Sequence, residues 1–415
     1  MSRSQGTPEL RDAFSVGREP GSEREPGSER EPGSGREPGS GREPGSEREP
    51  GSGRGLGSGG PAGSGVTTAR VVAVVVTYRP ENDCRELLDA LGVQCNAVVV
   101  IDNGSGPAFV AALAAACQAS GAEFVGLSQN VGIAAAQNCG IERARELGAT
   151  HVLLSDDDSL PPENMVARLL EGFAAGEVVA GTGADDVGAG ADDVGAMESH
   201  GSDERSHSES LGATALASVG SRGAAGGHVA AVGPLPAEDR PGGDQLVYQD
   251  RGWSPKRATA EELDTDLLEV PFLIASGCLI SLDALDAVGG MDESLFIDHV
   301  DLEWGLRARR AGYRLYCAPH IPLHHSLGDE SVLLPGRAQP VHVHAPVRNY
   351  YILRNTIILI RRDIMPWRWR VRYCYWAVKY AAFNALAVDR LPERRALLWR
   401  GFRDGLRGRR GRLRS

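Results

Sequence analysis

The chain has 415 residues and a formal net charge of −11 at pH 7, from 44 Lys and Arg against 55 Asp and Glu. Its seven cysteines are scattered without a Cys-x-x-Cys pair, which argues against a zinc ribbon or a disulfide framework and for a reducing compartment. The most apolar stretch near the end of the chain, 371–388, is interrupted by Arg372 and Lys379, so no transmembrane helix is predicted.

Residues 1–65 are dominated by a hexapeptide repeat, Arg-Glu-Pro-Gly-Ser-Glu/Gly, which runs from Arg18 to about Gly53. Each unit contains a Pro and a Gly and almost nothing apolar, so the repeat predicts a disordered low-complexity tail. It lacks the apolar core of a secretion signal, and we therefore expect it in the cytoplasm.

Short apolar runs alternate with helical patterns in the next part of the chain. Strands are predicted over 71–76, 97–101, 123–127 and 151–154. The alternation predicts an α/β fold, a doubly wound, mainly parallel sheet with flanking helices, whose ligands bind at the carboxyl ends of the strands. Because no Gly-x-Gly-x-x-Gly follows the first strand and no Walker A lysine is present, dinucleotide binding and phosphoryl transfer from ATP are disfavoured.

Polar residues follow these strands where the ligand edge is expected. Asp102, after the second strand, suits hydrogen bonding to a nucleobase imide or a ribose. Gly132, at a predicted helix start, allows close approach to a phosphate. After the fourth strand come Asp156, Asp157 and Asp158, and three adjacent like charges favour a hard divalent cation such as Mg²⁺ or Mn²⁺. The alternative for the triplet is a solvated acidic loop.

A second low-complexity stretch lies between about residues 181 and 261. Gly-Ala-Asp-Asp-Val occurs twice, at 183–187 and 190–194, and Ser, His and Gly-rich sequence follows. We predict a flexible insertion within one domain, with structured sequence resuming at Leu267.

The second half of the domain supplies a small-residue strand and an acidic helix start. The strand, 275–280, includes Gly277 and suits a sugar that passes close to the backbone. Asp298, Asp301 and Glu303 cluster at the start of the following helix, just before Trp304, where the helix dipole stabilises carboxylates. Helix capping alone is the alternative for these acids.

Residues 346–415 are strongly basic and rich in Trp and Tyr, and we predict a helical extension there. Arg suits lipid head groups and Trp and Tyr favour the membrane interface, so an anionic membrane surface fits better than nucleic acid. A solvated basic helix pair packed on the domain remains the alternative. We expect a cytoplasmic protein that is peripheral at the inner face of the plasma membrane.

Four motifs carry a family resemblance. Val-Val-Thr-Tyr-Arg-Pro, Ile-Asp-Asn-Gly-Ser, Asn-Val-Gly-Ile-Ala-Ala-Ala-Gln-Asn and Ser-Asp-Asp-Asp-Ser, in this order and spacing, resemble the family-2 glycosyltransferases of GT-A fold. Within that family they are most similar to the bacterial rhamnosyltransferases of cell-envelope polysaccharides. The resemblance covers about 66–180 and 262–360, within a GT-A domain expected over 66–345. The rhamnosyl group usually has Asp-Gln-Asp-Ser where Asp157 stands, whereas galactofuranosyltransferases have Asp-Asp-Asp.

The resemblance implies roles for several candidate residues. Thr77 and Asp102 would hold the nucleotide, Asp301 would be the catalytic base, and Asp156 and Asp158 would bind Mg²⁺ or Mn²⁺. A histidine would complete the metal site, and the match to the His-Ser-Leu-Gly form favours His325 over His324. The remaining substrate-binding candidates are Tyr78, Arg79, Asn130, Gly132, Asp157, Gly277, Asp298, Glu303 and Trp304.

The implied reaction is an inverting transfer of L-rhamnose from dTDP-rhamnose to a lipid-linked or growing cell-envelope glycan. A galactofuranosyl- or other hexosyltransferase is one alternative. A non-catalytic nucleotide-sugar-binding protein is the other.

Overall fold

The computed structural model describes residues 68–182, 227–237, 246–324, 331–332 and 341–414. The repeat of residues 1–65, the two Gly-Ala-Asp-Asp-Val segments and His325 lie outside the described residues. The strands are β1 Val71–Thr77, β2 Ala97–Asp102, β3 Glu123–Gly126, β4 His151–Asp156, β5 Val229–Ala237, β6 Tyr248–Asp250, β7 Pro255–Arg257, β8 Leu268–Glu269, β9 Cys278–Ser281, β10 Arg314–His324, β11 Ser331–Val332 and β12 Val341–His342. The helices are α1 Arg85–Gly92, α2 Pro107–Ser120, α3 Ile133–Glu146, α4 Met165–Thr182, α5 Leu282–Val288, α6 Val300–Arg310, α7 Pro346–Arg361, α8 Trp367–Leu386 and α9 Leu391–Leu406.

Eight of these strands form one sheet in the order β3-β2-β1-β4-β9-β5-β10-β8. The β3-β2-β1-β4 half is parallel throughout, and β5 and β10 are also parallel, whereas β9 runs antiparallel to both of its neighbours. This confirms the expected mainly parallel α/β sheet. Thr77 is in register with Asp102 and Val76 with Asp156, so the carboxyl ends of three strands meet at one edge.

Apolar layers cover both faces of the sheet, and β1 contributes to both of them. Val72 and Val74 pack in the layer that includes α3, whereas Val71 and Val75 pack in the layer of α1, α2 and α4. A strand covered by helices on both faces needs apolar side chains at every position. The unbroken run of apolar residues in β1 therefore follows from its central place in the sheet.

The expectation of a flexible insertion over 181–261 is wrong for residues 229–237. These residues form β5, which lies inside the sheet between β9 and β10 and is buried over its first seven residues. The sequence there resembles a linker because the tight packing requires small side chains. A Cβ on Gly233, for example, would lie 2.9 Å from Leu273 Cδ2. The short hairpin of β6 and β7 also falls within the range expected to be flexible.

The expected C-terminal helical extension is present as α7, α8 and α9. Helix α7 is buried along most of its length, and α9 packs closely on it, since a Cβ on Gly401 would lie 2.6 Å from the Tyr350 carbonyl oxygen. Tyr350 also donates its hydroxyl hydrogen bond to buried Asp404 in α9, at 3.1 Å. None of the described helices combines the length and apolar character needed to span a membrane.

Candidate active site

The ends of β1 and β2 are joined by a short hydrogen-bond network that includes Thr77 and Asp102, the two residues expected to hold a nucleotide. Thr77 Oγ1 donates to Asp102 Oδ1 at 3.5 Å, and the Ser105 backbone N–H donates to Asp102 Oδ2 at 3.1 Å. Ser105 Oγ in turn accepts from the Arg79 N–H at 2.7 Å. Thr77 and Asp102 are both fully buried, so these bonds fix the carboxylate at the sheet edge.

A reciprocal pair of asparagines holds the loops after β2 and β3 together. Asn103 Oδ1 accepts from the Val131 N–H at 2.9 Å, while Asn130 Oδ1 accepts from the Gly132 N–H at 2.9 Å and from Asn103 Nδ2 at 3.4 Å. Asn103 and Ser105 were not among the sequence-based candidates. Both belong to the Ile-Asp-Asn-Gly-Ser motif, which was the signal that could have identified them.

Gly132 and Gly277 have packing reasons for being glycine that differ from those expected. Gly132 has a φ of 94°, and a Cβ there would lie 2.5 Å from the Phe296 carbonyl oxygen. The group that approaches Gly132 closely is therefore the backbone at Phe296, in the segment before α6. Gly277 has a φ of 73°, and a Cβ there would lie 2.7 Å from Leu323 Cδ2 and from Pro234 Cγ. This packing alone requires glycine at both positions, and the expected phosphate and sugar approaches stay predictions.

The acidic triplet lies at the end of β4. Burial, and next the charges of Asp158 and Asp156, raise the pKa of Asp157 to about 7, against a lowering by the Tyr78 backbone hydrogen bond. Ser159 Oγ donates to Asp158 Oδ1 at 3.3 Å, and Ser276 Oγ donates to Ser159 Oγ at 3.1 Å. The triplet is therefore braced by the segment before β9, and its mutual repulsion favours a cation.

The oxygen donors of Asp156 and Asp158 fit a hard divalent ion. Within the described residues no group of three or more His, Cys, Asp or Glu side chains is arranged to hold a metal. The third expected ligand, His325, lies outside those residues, so metal binding by Asp156, Asp158 and His325 stays a prediction.

Asp301 lies in the first turn of α6 and faces the same acidic region. Its Oδ1 accepts from the Leu302 N–H at 2.8 Å. Burial raises its pKa to about 6, and the charges of Asp156 and Asp298 add to the rise against its backbone hydrogen bonds. Asp301 also lines a narrow cavity together with Gln137, Cys278 and Trp304. The charge of the predicted metal ligand Asp156 therefore acts on the predicted base.

Asp298 lies in the loop before α6, in a left-handed conformation with a φ of 66°. Its buried Oδ1 accepts from Arg348 Nη2 at 2.5 Å, a contact made by α7. Its Oδ2 is buried without a hydrogen-bond partner in the described structure.

Glu303 and Trp304 both make contacts that hold α6 against neighbouring segments. Buried Glu303 pairs with Arg307 at 2.9 Å and with Arg362 at 3.0 Å. Trp304 Nε1 donates to the Gly289 carbonyl oxygen at 2.9 Å. These contacts give both residues a role in packing α6, which the expectation of substrate binding did not foresee.

Comparison with known proteins shows similarity to glycosyltransferases. Residues 72–210 match the sequence model described as glycosyl transferase family 2. The dTDP-rhamnosyl transferase RfbF of Shigella flexneri is 27% identical over 299 residues, which are 72% of this chain and 82% of that protein. The sheet, its acidic edge and these matches define a glycosyltransferase. The match to the family 2 model falls on residues 72–210, the part of the chain that carries the four motifs.

Two solved structures are similar at low identity. S. aureus TarS 1–349 in complex with UDP-GlcNAc has a TM-score of 0.45 and 11% identity, over 82% of this chain and 81% of that one. The mannosyltransferase PcManGT from Pyrobaculum calidifontis in complex with GDP-Man and Mn²⁺ has a TM-score of 0.44 and 15% identity, over 81% and 87%.

Proposed function

We propose that this glycosyltransferase moves L-rhamnose, with inversion, from dTDP-rhamnose to a lipid-linked or growing cell-envelope glycan. The observation that carries the donor is the 27% identity over 299 residues to a dTDP-rhamnosyl transferase. The carboxyl of Asp301, which lines a narrow cavity and feels the charge of Asp156, supports the reaction, because transfer needs a base that accepts the proton of the acceptor hydroxyl.

In this proposal the donor lies along the carboxyl ends of β1, β2 and β4. Asp102, held by Thr77 and Ser105, accepts a hydrogen bond from the base or ribose. Asp156 and Asp158 would hold Mg²⁺ or Mn²⁺, with His325 as a third ligand. Such an ion, when bound, neutralises charge on a departing nucleoside diphosphate.

Asp301 acts in the proposal as the general base. Its pKa of about 6 leaves the carboxylate ionised at neutral pH while keeping it a better proton acceptor than an ordinary Asp. It takes the proton from the acceptor hydroxyl as that oxygen attacks the anomeric carbon on the face opposite the diphosphate. The proton ends on Asp301, the new bond joins acceptor and sugar, and the electrons of the broken bond leave with the diphosphate.

We also propose that the C-terminal helices bind an anionic membrane. Trp399 and Phe402 of α9 are 64% and 40% exposed, and their rings stack 5.8 Å apart. Arg395, Arg400 and Arg407 lie on the same helix or at its end. Exposed aromatic rings among arginines fit the interface of a bilayer with acidic head groups. A lipid-linked acceptor would be met at that surface.

A donor panel tests the proposal. Purified full-length protein is incubated with Mn²⁺ and dTDP-rhamnose, UDP-galactofuranose or UDP-glucose, without acceptor, and slow hydrolysis of each is measured. We expect hydrolysis of dTDP-rhamnose alone. Preference for UDP-galactofuranose would favour the alternative that Asp157 suggests. Tight binding of a donor without hydrolysis, and without transfer to membrane extracts, would leave the nucleotide-sugar-binding alternative.

A further inference from the structure

Helix α8 carries a row of four aromatic rings along one face. Trp369, Tyr373, Trp376 and Tyr380 follow helical spacing, which places them on one side of the helix. Their successive ring centroids are 6.5, 6.4 and 5.0 Å apart. Trp369 is fully buried, Tyr373 and Tyr380 are half-buried and Trp376 is 40% exposed, so Trp376 is the ring of the row that is most open to solvent.

The row borders the acidic site on the side of the predicted base. The Trp376 ring lies 6.4 Å from the ring of His299, which precedes Asp301 by two residues. Tyr373 packs against the apolar cluster that contains Leu302, the residue after Asp301. Burial first, and then the charges of Tyr248 and Asp301, raise the pKa of the Tyr373 hydroxyl. The exposed ring of the row, Trp376, therefore lies beside the loop that leads to Asp301.

We propose that Trp376 is the platform of an acceptor subsite that binds a pyranose ring of a glycan. The inference rests on the proposed function in one respect, that the acceptor is a sugar. The face of an indole carries partial negative charge, and the axial C–H groups of a pyranose present a flat, apolar and weakly positive surface to it. Tyr380, stacked on Trp376, and His299 hold the indole in place and reduce the entropy lost on binding.

Tyr375 supplies a matched control on the same helix. It is 55% exposed, comparable to Trp376, but it does not belong to the row. Its ring lies under two cations, with Arg372 Cζ at 5.2 Å and Lys379 Nζ at 5.5 Å from the centroid. A general effect of removing an exposed aromatic ring from α8 would therefore appear equally in Tyr375→Ala and Trp376→Ala.

The experiment measures binding of small sugars to the full-length protein. Methyl pyranosides of rhamnose, galactose, glucose and N-acetylglucosamine are titrated and followed by saturation-transfer NMR, since a methyl group gives no apolar tail that a membrane-binding surface could hold. We expect Trp376→Ala to weaken binding of the best pyranoside about tenfold. Trp376→Phe keeps a ring and should retain most of the affinity, and Tyr375→Ala should bind as the parent does.

Affinity for dTDP-rhamnose, measured by calorimetry on the same proteins, separates this inference from the proposed donor. Pyranoside binding that depends on Trp376 in a protein that does not bind dTDP-rhamnose would contradict the donor and support the subsite. The subsite is overturned if no methyl pyranoside binds the parent at millimolar concentration, or if the two alanine variants lose affinity equally. It is also overturned if Trp376→Ala lowers liposome binding and leaves pyranoside binding unchanged.

Discussion

The surroundings of Asp301 disfavour the charged form of its carboxyl group. It is partly buried, and the charges of Asp156 and Asp298 act on it, while the Leu302 N–H at the start of α6 stabilises it. A structural cap would gain nothing from two nearby acids. The combination is instead typical of a catalytic group whose pKa is brought closer to the working pH.

We expect Asp301→Asn to reduce the rate of sugar transfer by about 10²–10⁴-fold, because the amide keeps the shape and the backbone hydrogen bond but accepts no proton. Donor affinity should remain near that of the parent. In the parent, the transfer rate should rise with pH through about 6, as the carboxyl ionises. Transfer by Asp301→Asn at the parent rate would leave Asp301 a helix cap and make Asp298 the candidate base.

The same substitution should stabilise the protein at neutral pH. Since the folded-state pKa of Asp301 lies above that of an ordinary Asp, the folded state holds this proton more tightly, and stability falls as pH rises from about 4 to about 6. Asn has no charge to bury, so the free energy of unfolding at pH 7 should increase by on the order of 1–3 kcal/mol. Urea unfolding at pH 4 and pH 7 checks this, and the variant should gain at pH 7 relative to pH 4.

In the proposed reaction, metal dependence arises from the carboxylates of Asp156 and Asp158. Excess chelator should abolish transfer, and Mn²⁺ or Mg²⁺ should restore it, because Asp156 and Asp158 offer hard oxygen ligands. Asp158→Asn should weaken donor binding in the presence of Mn²⁺ and change it little in chelator. Calorimetry under both conditions makes the comparison. Full activity in chelator would remove the metal from the proposal.

Helix α7 fixes the loop that leads into α6 by hydrogen bonds. Phe296, Asp298 and His299 all have positive φ, at 68°, 66° and 64°, a conformation that non-glycine residues rarely adopt. The fully buried Asn355 side chain donates to the carbonyl oxygens of Leu295, Ile297 and Asp298 at 3.1, 2.8 and 2.9 Å. These bonds hold the three carbonyl groups around one side-chain amide. They thereby stabilise the positive-φ backbone conformation of the loop that positions Asp301.

Asn355→Ala should therefore lower both stability and transfer. Leaving buried carbonyls without a donor costs about 1–3 kcal/mol in unfolding free energy, and the loop that positions Asp301 would relax. Asn349 is the matched control, since it is also fully buried in α7 but donates to Tyr380 at 2.6 Å and to Asn384 at 3.0 Å. Asn349→Ala should reduce stability while the folded enzyme keeps its kcat. Equal losses of kcat in both variants would contradict a positioning role for Asn355.

The sequence predicted the parts of the site that depend on local pattern. The run of β1 and the polar residues after β1, β2 and β4 identified a parallel sheet and its ligand edge, and the structure confirms the sheet. Contacts between distant segments were not predictable. The small residues of β5 resemble those of a linker. The reason for them, the close packing of Leu273 on Gly233, is visible only in the structure. Likewise, the sequence around Glu303 indicates a solvent-accessible acidic residue, whereas in the structure Arg362, at the end of α7, pairs with it.

At the scale of the whole molecule, the basic C-terminal region is part of the folded domain. Arg394 is buried and donates to the His344 carbonyl oxygen and to Asn349 Oδ1, each at 2.8 Å. Buried Asp404 accepts the Tyr350 hydroxyl and pairs with Arg403 at 3.2 Å. Removing 391–415 would expose the buried surface of α7 and destabilise the domain. Membrane binding must therefore be examined with surface substitutions.

Replacing Trp399 and Phe402 together by Ser should release the protein from anionic liposomes while the fold is kept, because both rings are largely outside the packed face of α9. The loss of two interfacial aromatic rings should weaken partitioning about tenfold or more. Binding of the parent should also fall as salt is raised, since the arginines act through a screened potential. Sedimentation with phosphatidylserine vesicles measures both effects.

Val93→Ser is the control. It alters a residue that is 86% exposed and lies outside the C-terminal helices, and it should sediment like the parent. If the double variant also sediments like the parent, the aromatic face of α9 does not bind membranes and the arginines form a solvated surface.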